Sequence, residues 1–376
     1  MLILIPAYKP DSSLLELISN LNSQAQQEGQ KLSILLVNDG SGPAYDPLFA
    51  QAKEIGQALA DLHILTLPEN RGKGAALRAG ISWAQKQAPG QVIISADADG
   101  QHLPADILAL GRETEKAAEK EQKSLLLGVR TLEDPQAPQQ KVPLRSRVGN
   151  ALTAFLFGLS TGQKVADTQT GLRGFTPQIL PWLLKVPGDR YEYEFNMLLR
   201  ASRFGISLTQ VPISRVYEAG NPTSHFKPIQ DSLRIYAPLL GFLASSFSGF
   251  IIDTLALLLL VALGSPLLPA VIAARIISAS CNFALNRFLM HDGGPRPQAR
   301  QSLGRYALLA IALLLANAGL LEALTWLGLP LLLAKVLVEL VLIPISFAVQ
   351  RRWVFAKGQP LNKEQEATHK ELLVGA

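Results

Sequence analysis

The chain has 376 residues, a net charge of +5 and one cysteine, Cys281. That length is enough for two domains, and a lone cysteine excludes a disulfide framework. Charge is unevenly spread: roughly the first 230 residues read as a soluble α/β protein, and about the next 125 are dominated by Leu, Ala, Ile and Val. Basic and aromatic residues do not interleave in a way that argues for nucleic acid. The basic excess is therefore assigned to loops facing anionic lipid. The chain opens directly on the strand-like run Leu2-Ile3-Leu4-Ile5, without the basic start and cleavage site of a signal peptide. The first domain is accordingly expected in the cytoplasm.

In chain order, a first buried strand ends at Pro6-Ala7-Tyr8, and Asp11-Ser12-Ser13 offers helix caps before an amphipathic run to Gln27. Leu32–Val37 reads as a second strand ending in Asn38-Asp39-Gly40-Ser41, followed by a helix over 46–60 and a strand at Leu62–Leu65. Asn70-Arg71-Gly72-Lys73-Gly74 is a glycine-rich, basic entry into a helix. Val92–Ser95 and Ser124–Val129 are further strands, the latter ending at Arg130. Ser207–Ile213 is a last one, which Pro212 assigns to a sheet edge or a strand end. Strands alternating with helices predict a largely parallel, Rossmann-like sheet covered on both faces. In such sheets ligands sit beyond the carboxyl ends of the strands. Tyr8, Asp39, Asp97, Asp99 and Arg130 all fall there, which argues for one shared site.

The stretch Asp97-Ala98-Asp99-Gly100-Gln101-His102 carries the chemistry. If the strand alternation continues past Ser95, Asp97 and Asp99 project the same way, and Gln101 joins them. Two carboxylates and a carboxamide form a hard, all-oxygen donor set suited to Mg or Mn with open positions for phosphate. Arg130, Arg145, Ser146 and Arg147 lie on and after a long segment broken by prolines at 135, 138 and 143, and converging guanidinium groups suggest a second anion. Arg190-Tyr191-Glu192-Tyr193-Glu194 opens a helix, and its acids either meet sugar hydroxyls or favour the helix N-terminus.

Ile5-Pro6-Ala7-Tyr8, Val37-Asn38-Asp39-Gly40-Ser41, Asn70-Arg71-Gly72-Lys73-Gly74, Asp97–His102 and Asp167-Thr168-Gln169-Thr170-Gly171-Leu172-Arg173 resemble the family 2 glycosyltransferases of GT-A fold. The resemblance is to the dolichyl- and polyprenyl-phosphate sugar synthases in particular, and covers about residues 1–225. It implies that Pro6, Ala7, Tyr8, Asp39, Lys73 and Asp97 hold a nucleotide-sugar. It also implies that Asp97, Asp99 and Gln101 hold the cation, and that Arg130 with Arg145, Ser146 or Arg147 binds the phosphate of a lipid acceptor. Asp99, Arg130 and Asp167 are the catalytic candidates. Ser224 and His225 are further phosphate contacts; His225 stands where the mannose synthases carry lysine, a departure that leaves the donor open.

Residues 226–237 have the spacing of an amphipathic helix at the membrane interface. Four apolar stretches follow, near 238–263, 267–290, 306–328 and 331–354, each long enough to span a bilayer. Basic residues in 291–305 and at Arg351-Arg352 put the catalytic domain and both termini in the cytoplasm, with the chain multi-pass in the cell membrane. Asn282–Arg287 repeats as Ser346–Arg351, and Gly264-Ser265-Pro266 as Gly328-Leu329-Pro330 at the same offset. This two-hairpin pattern, over 238–356, resembles the GtrA-like membrane family. Within it, Asp253 with Arg275 and Glu322 with Lys335 are expected as ion pairs. The tail from 357 to 376 is polar.

The reading is a metal-dependent, inverting transfer of a hexose from a nucleotide-sugar to a polyprenyl phosphate at the cytoplasmic membrane face. A second copy of the chain, joined through the membrane domain, is a further candidate partner. Transfer to another lipid, such as a diacylglycerol, and a non-catalytic flippase or anchor for lipid-linked sugar are the alternatives. A processive polysaccharide synthase is set aside, because Gln350-Arg351-Arg352-Trp353 is one residue short of that family's motif and follows the spans.

Overall fold

A computed structural model describes the chain except residues 58–60, 131–152, 156, 159–160, 202–203, 215–227, 290–298 and 356–376. It divides into two compact units, Met1–Ile235 and Tyr236–Ala376.

The first unit is built on a seven-stranded sheet of order β3-β2-β1-β4-β6-β5-β7. The strands are β1 (Leu2–Ala7), β2 (Ser33–Asn38), β3 (Leu62–Thr66), β4 (Ile93–Ser95), β5 (Ser124–Arg130), β6 (Arg173–Phe175) and β7 (Ser207–Ile213). Period-two alternation splits the apolar residues cleanly between the two faces. Leu2 and Leu4 of β1 and Leu35 and Val37 of β2 pack on α3 (Lys73–Gln87) through Ala76, Leu77, Ile81 and Ala84. Ile3, Ile5, Ile34 and Leu36 face α1 (Ser13–Gln27), α2 (Asp46–Gln57) and α4 (Pro104–Glu119). Each fully buried Leu or Ile contributes about 1.5–3 kcal/mol, so both helical layers are firmly held.

The sheet is less uniform than its sequence pattern predicts. β6 runs antiparallel between β4 and β5, while the other pairings are parallel. Three residues, Arg173-Gly174-Phe175, give no alternation to read, and a leading arginine argues against a buried strand. β7 is the edge strand, and Pro212 sits on it opposite Val129.

In the second unit the described residues form four helices. They are α6 (Pro228–Ala262, which begins in the first unit), α7 (Leu267–Leu289), α8 (Ala299–Trp326) and α9 (Leu331–Val349), the last continued by a π-helical turn over Gln350–Val354. By length and composition, Ala244–Ala262 and Arg300–Trp326 are apolar enough to cross a membrane. Residues 228–237 belong to the same helix as the first apolar stretch.

The internal repeat is visible as hydrogen bonding. Asn286 donates to Gln350 Oε1 at 3.0 Å, and these two residues are 64 positions apart, the repeat offset itself. Each also bonds four residues back, Asn286 to Asn282 Oδ1 at 2.9 Å and Gln350 to Ser346 Oγ at 3.1 Å. Gly264 and Gly328 take matching backbone angles, φ 85° and 86°. Asn286→Leu should therefore leave the buried Gln350 Oε1 without its donor, while the bond to Ser346 stays. We expect a loss of about 1 kcal/mol, read as a lower unfolding temperature of the full-length protein in detergent.

Candidate functional site

Asp39 directly follows β2, with its side chain buried. Its carboxylate accepts from the Asn70 side-chain amide at 2.9 Å, the Arg71 backbone N–H at 2.9 Å and the Gly72 N–H at 2.8 Å. Burial raises its pKa above the ordinary value, against the pull of those two backbone donors. Asp39 thus pins the glycine-rich segment to the end of β2. Asp39→Ala would leave the buried Gly72 N–H without its acceptor and free the exposed Arg71 N–H and Asn70 amide to water. The expected loss of about 1–2 kcal/mol is measurable as a lower denaturation midpoint of the first unit. On the neighbouring strand, Pro6 and Tyr8 are partly exposed and Ala7 is buried. The Lys9 ammonium lies 5.3 Å from the Tyr8 ring centre.

The pinned segment delivers Lys73 to the first position of α3. A cation at a helix N-terminus opposes the helix dipole, and two acids compensate for it. Lys73 Nζ lies 2.6 Å from Asp97 Oδ1 and 3.0 Å from Glu194 Oε2. Burial works against the charge of the amine, but the two carboxylates hold its pKa well above the ordinary lysine value. Burial likewise opposes the charge of Asp97, and Lys73 and His102 overturn that, holding its carboxyl well below the usual range. His102 Nε2 lies 3.7 Å from Asp97 Oδ2.

Asp97 and Asp99 come together by a different route from strand alternation. β4 ends at Ser95, and Asp99 lies in a turn closed by the Gln101 N–H on its Oδ1 at 3.1 Å, with Gly100 at φ 72°. Burial, and then the charge of Asp97, raise the pKa of Asp99. The pair is thus short of positive charge on the Asp99 side. Two carboxylates and the Gln101 carboxamide are a donor set that fits a hard divalent cation. Among the described residues no three His, Cys, Asp or Glu side chains form a ready-made cage, so a cation held here would need oxygen atoms from a bound ligand.

Across the sheet, Arg130 Nε bonds Asp167 Oδ2 at 2.6 Å. Asp167 also accepts from the Gln169 N–H at 3.0 Å, and the turn it starts leads to Gly171. A Cβ on Gly171 would lie 2.1 Å from Asp97 Oδ2. The Asp167 turn is therefore seated directly on Asp97.

The two acids of 190–194 have separate roles. Glu192 Oε1 accepts the N–H groups of Asp189 and Arg190, at 3.1 and 3.4 Å, at the start of α5 (Glu192–Ala201). Glu194 is buried behind Lys73. His102 thus joins the site through Asp97, and of the two acids at 190–194 it is Glu194 that lies on Lys73. Arg145, Ser146, Arg147, Ser224 and His225 lie outside the described residues. In the second unit Asp253 accepts from Ser278 Oγ at 2.8 Å; the side chains of Arg275 and Lys335 lie outside the described ones, and Glu322 is exposed.

Residues 2–165 match Glycosyl transferase family 2, and residues 241–355 match the GtrA/DPMS transmembrane domain. An uncharacterized protein of Methanocaldococcus jannaschii is 32% identical over 216 residues, which are 57% of this chain and 81% of that protein. The chain belongs to glycosyl transferase family 2. This family 2 transferase is also 25% identical to a dolichyl-phosphate beta-glucosyltransferase of Trichomonas vaginalis, over 56% of the chain and 64% of that protein. It is 28% identical to an undecaprenyl-phosphate 4-deoxy-4-formamido-L-arabinose transferase of Pseudomonas fluorescens, over 61% of the chain and 60% of that protein. The chain thus spans a little under two thirds of the length of these two relatives. The family 2 transferase is a membrane protein by virtue of its second domain.

Proposed function

We propose that this glycosyltransferase moves a hexose from a nucleotide-sugar to a polyprenyl phosphate at the cytoplasmic membrane face, with inversion and with a divalent cation. The observation that carries the reading is the union, in one chain, of a family 2 transferase sequence with a GtrA/DPMS transmembrane domain. The two named relatives agree with it in the acceptor, a polyprenyl phosphate, while the sugars in their names differ, a glucosyl group and a modified arabinose.

The site offers a role for each group. Pro6, Ala7, Tyr8 and Asp39 border the place for the nucleoside, at the ends of β1 and β2. Asp97, Asp99 and Gln101 would hold Mg or Mn, which when bound neutralises the diphosphate of the donor. Lys73 keeps Asp97 ionised and adds positive charge. Arg130, oriented by Asp167, faces the acceptor phosphate, with Arg145, Ser146, Arg147, Ser224 and His225 as further phosphate contacts. A phosphate is already anionic at neutral pH, so attack on the anomeric carbon needs no general base. Asp167, bound to Arg130, serves as an orienting group. Positioning and stabilisation of the leaving diphosphate remain as the protein's work.

The test uses the purified full-length protein with Mn, undecaprenyl phosphate and a panel of labelled nucleotide-sugars. Label should enter a mild-acid-labile lipid from one donor, disappear with EDTA and return with Mn. The anomeric configuration of the product, read by NMR, tests inversion. Label entering only a diacylglycerol would transfer the reading to that acceptor. No transfer from any donor, in protein that still binds nucleotide, would favour the flippase or anchor.

A further inference from the structure

Arg173 opens β6 and is fully buried. In the ladder it stands opposite Ser95 of β4 on one side and Leu127 of β5 on the other. β4 leads to Asp97 and β5 ends at Arg130. The guanidinium grips two further elements. Its Nε donates to the Thr170 carbonyl at 2.9 Å, and its Nη1 donates to the Glu194 carbonyl at 2.6 Å, with the Glu194 carboxylate 3.7 Å from Nε. Thr170 belongs to the turn that carries Asp167, the partner of Arg130, and seats Gly171 on Asp97. Glu194 in turn holds Lys73.

An apolar side chain would be the easier occupant of a buried ladder position, because an enclosed guanidinium must be compensated on all sides. Here compensation is incomplete: Nη2 has no hydrogen-bond partner among the described residues. Burial pushes the Arg173 pKa below its ordinary value, and the charges of Glu194, Asp167 and Asp97 only partly oppose it. Two charged groups are thus joined through Arg173: Arg130 with Asp167, reached by way of the Thr170 turn, and Glu194 with Lys73 and Asp97, reached directly.

We propose that Arg173 is a positioning residue that sets the donor half of the site, Lys73–Asp97, in register with the acceptor half, Arg130–Asp167. This rests on the transfer reading above. It touches neither substrate; it fixes the turn and the helix that present the groups which do.

The test compares Arg173→Lys and Arg173→Met with Phe175→Leu, a packing change on the same strand, in full-length protein. With the donor that wild type uses, each folded arginine variant should lose at least tenfold in kcat while both KM values stay within about threefold. Phe175→Leu should lower the unfolding temperature and leave kcat unchanged. A folded Arg173 variant with wild-type kcat overturns the inference. A second measurement needs no turnover. Asp167→Asn and Glu194→Gln share no hydrogen bond, yet their effects on the denaturation midpoint should be non-additive while Arg173 is present, because each leaves the same guanidinium less compensated. In Arg173→Met they should become additive. Additivity with Arg173 in place overturns the inference even if wild type transfers no sugar, an outcome that would count separately against the transfer reading.

Discussion

Lys73→Met is expected to lower transfer by about 10²–10³-fold, the scale of losing one preorganised charged group at a site of developing charge. The amine is the shared partner of Asp97 and Glu194, at 2.6 and 3.0 Å. Without it, two carboxylates remain with one fewer counter-charge. The stability loss should be about 3 kcal/mol, the lower end for breaking a buried pair, because the Asp97 side chain keeps 29% exposure. The pH dependence follows from the signs. Asp97 titrates below its ordinary 3.8 in the fold. Its contribution is therefore present above the unfolded value and is lost as pH falls further. Lys73 titrates above its ordinary 10.5, so its contribution is complete below that value and is lost only as pH rises beyond it. The wild-type advantage over Lys73→Met should thus be flat across neutral pH and shrink in acid below about 4. Denaturant titrations at several pH values check this; an advantage that changed between about pH 6 and 8 would contradict the assignment.

Gly171→Ala should have an effect on activity out of proportion to its effect on stability. The added methyl would stand 2.1 Å from Oδ2 and 2.7 Å from Cγ of Asp97. Something must yield, and the backbone has little freedom: the Gly171 carbonyl accepts from Ser95 Oγ at 3.0 Å, and Leu172 is held by Gly128. The carboxylate is the part that can swing. Displacing it should cost only about 1 kcal/mol of overpacking, yet a displacement of about 1 Å at a reacting centre lowers rates by about 10²-fold. Parallel measurement of unfolding temperature and kcat/KM separates the two. Equal losses in both, or none in either, would show that Asp97 does not need its present position.

The sequence disclosed the strand ends well. Runs such as Leu32–Val37 followed by Asn38-Asp39-Gly40 mark both a buried strand and its turn, and the parallel topology then brings the ends together. It disclosed β6 poorly, since three residues beginning with arginine carry no periodic signal, and the pairing of Ser95 with Arg173 spans 78 positions. The same distance hides the contact of Arg173 with Glu194: an arginine's type points to solvent and Glu194 reads as a helix-start acid, whereas the fold buries the two against each other. Asp97 and Asp99 were legible as a pair, but the alternation argument was not how the chain joins them. Their turn depends on Gly100 and on a backbone bond to Gln101. Glu192 and Glu194, two apart at a helix start, cannot be told apart by type, and only packing separates the helix-starting acid from the one behind Lys73.

The bond between Asn286 and Gln350 joins a position to its own counterpart in the repeat. Counterpart positions of a repeat that bond to each other make the contact between the two halves one of like with like. Each hairpin is therefore built to recognise another hairpin of its own kind. The linkage between the halves then sets local concentration, and the carboxamides set which surfaces meet.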